Sequence, residues 1–379
     1  MIDPVLTLAC DLVAIDSVNP SLVPGAAGEG AIVAVLADHL RRIGLDVHVR
    51  EAAPGRPNVV GVLEGRVPGR SLMFCGHIDT VGVSGMKAPF DPAERNGRIY
   101  GRGSQDMKSG VAAMIDAVRV VAESGGLAAG RVIVAAVVDE EHASIGADAL
   151  VTRWRADAGV VTEPTALEVA VAHKGFEWVV VETEGRAAHG SRPQEGRDAI
   201  MRMGRVLGAL ETLDRDLQRG RTHPVVGTAS LHASLIEGGR ELSSYPDRCT
   251  LQIERRTIPG EPEGIAASEV GRILEDLRAA DPEFTAASRS MFARSPYEID
   301  PGHDLPQAVI RAAATAGVVT RTIGMSFWTD AAILGAAGIP SVLFGPSGAG
   351  LHGLEEWVDI QSVITCRDAL VHLIRDWCR

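Results

Sequence analysis

Apolar residues recur at helical spacing through residues 5–15 and again through 30–43, where Gly44 supplies a helix stop. Period-two alternation then predicts strands at 46–50 and 58–63. A short apolar run at 71–75, ending at Gly76, reads as a buried strand. A helix is expected over 110–122, with further short strands over 131–138 and 159–161. Alternating helices and strands of this kind imply a layered α/β domain.

The pattern changes near His173. Residues 177–184 alternate apolar and polar, as a half-buried strand does. A helix (198–213), two strands (226–236 and 248–257), a second helix (264–279) and a strand (284–290) follow. That order, β-α-β-β-α-β, is the ferredoxin-like arrangement. A helix at 306–316, a strand at 341–344 and a helix at 360–377 restore the α/β character. The expected organisation is one catalytic domain in two parts, 1–172 and 293–379, split by an inserted domain at 173–292.

The chain length of 379 residues agrees with two domains, being too long for one compact core. A net charge of -12 argues against a nucleic-acid partner. No apolar run approaches the ~20 residues of a membrane span. The segment Met1-Ile2-Asp3-Pro4 has no basic or apolar leader character, so a cytoplasmic location is expected. The five cysteines are scattered and form no CxxC pair, which disfavours a disulfide framework or a thiolate zinc site. Lysine occurs only as Lys87, Lys108 and Lys174.

Several polar segments sit at predicted strand ends, where open α/β sheets carry their sites. In Gly76-His77-Ile78-Asp79-Thr80, His77 can ligate a metal and Asp79 can hold the imidazole through a hydrogen bond. The Gly-rich stretch 101–110 opens a helix but lacks P-loop spacing, and Asp106 would repel phosphate; this carboxylate could bridge two cations or cap the helix. Asp139-Glu140-Glu141 places three adjacent carboxylates where they repel unless a cation or solvent separates them. Thr162-Glu163-Pro164 and Leu351-His352-Gly353 also follow strands, with Glu356 four residues beyond His352. Each segment alone could be an ordinary polar loop. Together, His77, Asp106, Glu141, Glu163 and His352 form a nitrogen/oxygen set suited to two divalent ions sharing a carboxylate, zinc first, cobalt or manganese as substitutes.

With these motifs in view, nearly the whole chain resembles the metallohydrolase family of acetylornithine deacetylase, succinyl-diaminopimelate desuccinylase, aminoacylase and carboxypeptidase G. The likeness is carried by Gly-His-x-Asp-Thr, Gly-x-x-x-Asp-Met-Lys, Glu-Glu, Glu-Pro and the late His. Ala188-His189-Gly190-Ser191-Arg192-Pro193, Glu254-Arg255-Arg256 and Thr329-Asp330-Ala331 carry it further. The resemblance implies a three-layer α/β/α catalytic domain and an inserted ferredoxin-like α+β lid that also forms a homodimer. It implies that His77 and Glu163 bind one metal and Glu141 and His352 the other. Asp106 would bridge the two and be followed by a cis bond. It further implies that Asp79 orients His77, Glu140 is the general base, His189 stabilises the oxyanion and Arg256 holds a substrate carboxylate.

Where the family usually has asparagine, three residues before Pro246, this chain has Ser243, which offers no amide donor. Ser243, Thr329 and Asp330 are carried over as substrate-side positions, and Trp328 could wall an apolar acyl pocket or belong to the core. The implied activity is removal of an acyl group from an N-acyl amino acid, as in acetylornithine deacetylase. Cleavage of short peptides by a carboxypeptidase or dipeptidase is the alternative. A non-catalytic binding protein on the same scaffold would be expected to lack Glu140 or a ligand, and none is missing.

Overall fold

The structure, a computed structural model, describes residues 3–379. Met1 and Ile2, part of the segment read for a leader, lie outside the described residues. The chain forms two compact units: one runs up to Val171 and includes Ile299–Ile323 and Thr329–Arg379, the other comprises Ala172–Glu298 and Gly324–Trp328. The short return of Gly324–Trp328 to the second unit carries no periodic signal of its own.

The first unit is built on a mixed sheet with strand order Asp46–Ala53, Arg56–Glu64, Ala129–Val137, Val67–His77, Ala158–Val161, Ser341–Leu343, Val169–His173. Its central strands read as unbroken apolar runs because both faces are covered. Leu72, Phe74, Val132 and Val134 face a core shared with Ile32, Leu36, Val111 and Leu370, from the helices Gly30–Arg42, Ser109–Glu123 and Ile360–Trp377. The short helices Ile145–Leu150 and Ala331–Ala336 pack on the strands as well. Phe74 is fully buried, so Phe74→Ala should cost ~3–5 kcal/mol. Arg367 ties the helices together, reaching Asp116 at 2.6 Å and Asp3, the N-cap of Pro4–Val13, at 3.0 Å.

Four neighbours in this sheet run parallel: Ala129–Val137, Val67–His77, Ala158–Val161 and Ser341–Leu343. His77 pairs with Val137, Cys75 with Val161, and Leu343 with Val161. Their C-terminal ends therefore share one edge of the sheet, and the chain leaving that edge carries every metal-ligand candidate except Asp106. A small sheet of Gly348–Ala349, Trp357–Asp359, Arg98–Tyr100 and Ala93–Arg95 flanks the His352 segment. Strands of two or three residues are too short to leave a period in the sequence.

The second unit is a four-stranded antiparallel sheet ordered Ser230–Gly238, Arg248–Thr257, Gly175–Glu184, Thr285–Arg294. Helices Ala199–Arg219 and Ile265–Ala280 cover one face through Val206, Leu210, Val270 and Leu274, packed on Val179, Val181, Leu251 and Ile253. This is the ferredoxin-like insertion. The first of these helices runs six residues past the predicted end at 213, and its last turns are largely exposed. Phe176, Trp178 and Phe292 form an aromatic cluster, with ring centroids 5.2–5.9 Å apart. Among the described residues no helix is long and apolar enough to cross a membrane, and all five cysteines are free.

Candidate metal centre

His77 ends its strand and is buried among the sheet termini. Its Nε2 lies 3.0 Å from Asp106 Oδ1 and 4.0 Å from Glu163 Oε1. His352 Nε2 lies 3.0 Å from Glu141 Oε2 and 3.5 Å from Asp106 Oδ2. Two donor groups result, His77–Asp106–Glu163 and Asp106–Glu141–His352, each with donor atoms within 4.8 Å of one another. Asp106 presents one oxygen to each histidine. The bond from Asp106 to Met107 is cis. Gly110 lets this loop approach the Glu163 segment: a Cβ there would sit 2.0 Å from the Thr162 carbonyl oxygen.

Burial drives Glu140, Glu163 and Glu141 toward their neutral forms, and repulsion from neighbouring carboxylates adds to the shift against the attraction of the histidines. Burial disfavours a charged His77, yet its hydrogen bond to Asp106 and the charges of Glu163 and Glu140 raise its pKa well above the usual value. His352 is raised to about 10 by its hydrogen bonds to Asp106 and Glu141. Burial opposes ionisation of Asp106, but bonds from His352 and His77 hold it below the carboxylate range. Carboxylates pushed toward the acid and imidazoles pulled toward the cation describe a cluster short of positive charge. Divalent ions supply that charge, so the donor set fits them.

Glu140 belongs to neither donor group. Its Oε2 is 4.0 Å from His77 Nε2. The loop that presents Glu140 starts at Asp139, a left-handed residue with φ of 70°. A network the sequence did not announce holds that residue. Arg56 Nη2 donates to Asp139 at 3.0 Å, Asn19 Nδ2 donates to it at 3.1 Å, and Arg56 also forms a buried bidentate pair with Glu29. Asn19 Nδ2 further reaches Asp79 at 2.7 Å. The segment 17–20 gave no local sign of this, because its partners lie far along the chain.

Thr329 and Asp330 are buried in the first unit, where Thr329 Oγ1 accepts from the Ala331 amide at 3.3 Å. Asp330 is among the charges that push Glu140 and Glu163 up. Lys108 is fully buried and donates to the Ile15 carbonyl at 2.7 Å. Burial presses its amine down to about 7 against the pull of Glu356, Asp16 and Asp79.

His189, Ser243, Arg256 and Trp328 belong to the second unit. His189 is exposed, with Nδ1 2.8 Å from Ser191 Oγ, and the Gly190 amide donates to the Ser243 carbonyl at 2.7 Å. Arg256 Nε donates to Glu254 at 2.6 Å, and Glu254 also accepts from Trp178 Nε1 at 2.8 Å. Trp328 donates to the Ser295 carbonyl at 3.0 Å and meets His173 and Phe176 edge-on.

The sequence signature of "Peptidase family M20/M25/M40" matches residues 73–376. The chain is 27% identical to N-formyl-4-amino-5-aminomethyl-2-methylpyrimidine deformylase of Bacillus subtilis (strain 168), over 94% of this chain and 91% of that one. It is 29% identical to acetylornithine deacetylase of Myxococcus xanthus, over 86% of each. Among solved structures, the YxeP protein of Bacillus subtilis, described as a dinuclear metal binding peptidase from M20 family, superposes with a TM-score of 0.75 at 15% identity, covering 98% of each chain.

Proposed function

Because the chain belongs to peptidase family M20/M25/M40, whose members hydrolyse amide bonds, we propose that it removes the acyl group from an N-acyl amino acid, with Glu140 as general base beside two divalent cations. The observation that carries this is the pair of donor groups sharing Asp106, with Glu140 next to both and in neither. We assign His77 and Glu163 to one ion, Glu141 and His352 to the other, and Asp106 to both. Zinc suits the nitrogen/oxygen set, with cobalt or manganese as substitutes. When bound, such ions acidify water and polarise the scissile carbonyl.

Glu140 accepts a proton as water oxygen attacks the carbonyl carbon. It returns that proton to the departing nitrogen as the C–N bond breaks, leaving a carboxylate and an amine. Standing outside both donor groups, the Glu140 carboxylate is free of a ligand role and can take and return the proton. We assign His189 to the oxyanion and Arg256 to the substrate carboxylate, which it would grip through its terminal nitrogens while Glu254 holds Nε. Ser243, Thr329, Asp330 and Trp328 are kept as substrate-side positions.

A homodimer through the inserted unit is part of the proposal. The Ser230–Gly238 strand is a sheet edge, and its Leu235 and Ile236 are 64% and 55% exposed, as an edge that pairs with a copy of itself would be. A cytoplasmic location is retained from the sequence.

The test is a panel of N-acetyl, N-succinyl and dipeptide substrates, assayed with measured metal content. Cleavage of N-acyl amino acids, abolished by chelation and restored by zinc or cobalt, is expected. Turnover of dipeptides alone would replace the deacylase with a peptidase, and full activity in metal-free protein would sink the mechanism.

A further inference from the structure

Glu356 follows His352 by four residues and is in neither donor group. Its side chain is completely buried, and its two carboxylate oxygens take four hydrogen bonds. Oε2 accepts from Arg102 Nη1 at 2.7 Å and from the Gly103 amide at 3.0 Å. Oε1 accepts from the amides of Gln105 and Asp106 at 2.8 and 3.0 Å. The last donor is the backbone of the residue whose carboxylate both donor groups share.

The arrangement also runs back toward His352. Arg102 Nη2 donates to the Gly353 carbonyl at 3.0 Å and to the Gly82 carbonyl at 3.3 Å. The Glu356 carbonyl accepts from the Gly101 amide at 3.1 Å. The loop over 101–106 is thus wrapped around one carboxylate from the segment that carries His352, and its arginine clasps the residue after His352.

Only a carboxylate satisfies this site. Its two oxygens are acceptors throughout, and donors meet both. A glutamine of the same shape has one oxygen, and its amide would aim N–H groups at donors. The Arg102–Glu356 ion pair is itself buried on both sides, so removing one partner leaves the other uncompensated.

We propose that Glu356 is a positioning residue for the metal centre: it fixes the backbone at Asp106 so that each carboxylate oxygen faces one histidine, and it couples the placement of Asp106 to that of His352. The inference rests on the assignment of residues 77, 106, 141, 163 and 352 as cation ligands. Because Asp106 is shared, loss of Glu356 loosens both ions. The ion in the Asp106–Glu141–His352 group suffers more, since two of its three ligands lie on the segments that Glu356 joins.

The experiment is a zinc titration of wild-type protein and Glu356→Gln against a chromophoric chelator, with thermal unfolding recorded in the metal-free and zinc-loaded states. The variant is expected to hold its weaker ion ~10–100-fold less tightly and to lose part of the rise in Tm that zinc confers on the wild type. A merely structural glutamate would lower Tm equally in both states and leave both affinities unchanged, which would overturn the inference. Should Glu356→Gln not fold, Arg102→Lys keeps the charge and breaks the clasp on Gly353. It is expected to loosen one ion selectively, and unchanged affinity for both overturns the coupling. Wild-type protein that binds no divalent ion removes the ligand assignment and this inference together, whereas two ions held equally well by both proteins removes this inference alone.

Discussion

His77 Nδ1 meets the backbone carbonyl of Asp79 at 3.0 Å, while the Asp79 carboxylate stands 3.7 Å away and turns to other donors. That carboxylate accepts from the Glu140 and Glu141 amides at 3.1 and 3.3 Å and from Asn19 at 2.7 Å. The sequence suggests that the carboxylate holds the imidazole; in the fold the main chain does so, and the side chain holds the loop of the proposed base. Asp79→Asn should therefore keep the His77 tautomer and the ion at His77–Glu163, yet lower kcat by ~10–100-fold. Ion counts and steady-state kinetics check this; loss of that ion ahead of activity would show the carboxylate to be the support of His77.

Glu140→Ala should lower kcat by at least ~100-fold while both ions remain. Metal analysis beside kinetics decides it. If Glu140→Ala sheds metal and Glu141→Ala does not, the adjacent pair has been assigned the wrong way round.

Arg256→Ala should weaken transition-state binding of carboxylate substrates by roughly 1.5–3 kcal/mol, the worth of a charge-assisted pair. The comparison is kcat/KM for an N-acyl amino acid against its C-terminal amide. Equal losses on both would mean that Arg256 serves only its neighbour Glu254.

His173 is fully buried against the Tyr297 and Trp328 rings, and burial presses its imidazole down to about 4 from an ordinary 6.5. The folded state then binds fewer protons than the unfolded state between those values. The stability involved is complete above about pH 6.5 and is lost as pH falls toward 4, on the order of 3 kcal/mol in all. His173→Gln should flatten this part of the profile, measured by urea unfolding of metal-free protein from pH 7 to 4. A slope equal to that of the wild type would refute the assignment.

If His189 acts on the metal centre of a partner copy, Glu140→Ala and His189→Ala should each be nearly inactive but should complement when refolded together. Random pairing makes half the dimers mixed, each with one intact site, so roughly a quarter of wild-type activity should return. Mixed dimers without activity would confine His189 to its own chain or remove it from catalysis.

His77, Glu141, Glu163 and His352 were legible because ligand-type side chains fall at or after the ends of short apolar runs, and the parallel register gathers those ends on one edge, whereas Asp106 stood out only by its place in a Gly-rich stretch that opens a helix. The support around them was not. Asn19 meets Asp79 across 60 positions and Arg56 meets Asp139 across 83, and a local pattern carries no trace of a partner so distant. Glu356 was visible as a residue but not as a hub, since most of its partners are backbone amides, which every sequence has. The Gly348–Ala349 and Trp357–Asp359 strands escaped for lack of length, and the place of Trp328 among the aromatic rings depends on a return of the chain that no periodicity marks.

The strand Ser341–Leu343 lies between Ala158–Val161 and Val169–His173, two strands made long before it. As the chain leaves the ribosome, those earlier strands wait for the strand that pairs with both until Ser341, 168 residues after His173. Val160, Val161, Val169 and Ala170 are all buried in the finished molecule, so completing this part of the sheet waits on the late strand. The fold has a window of vulnerability set by its strand order, and chaperone demand should fall only once the last forty residues have emerged.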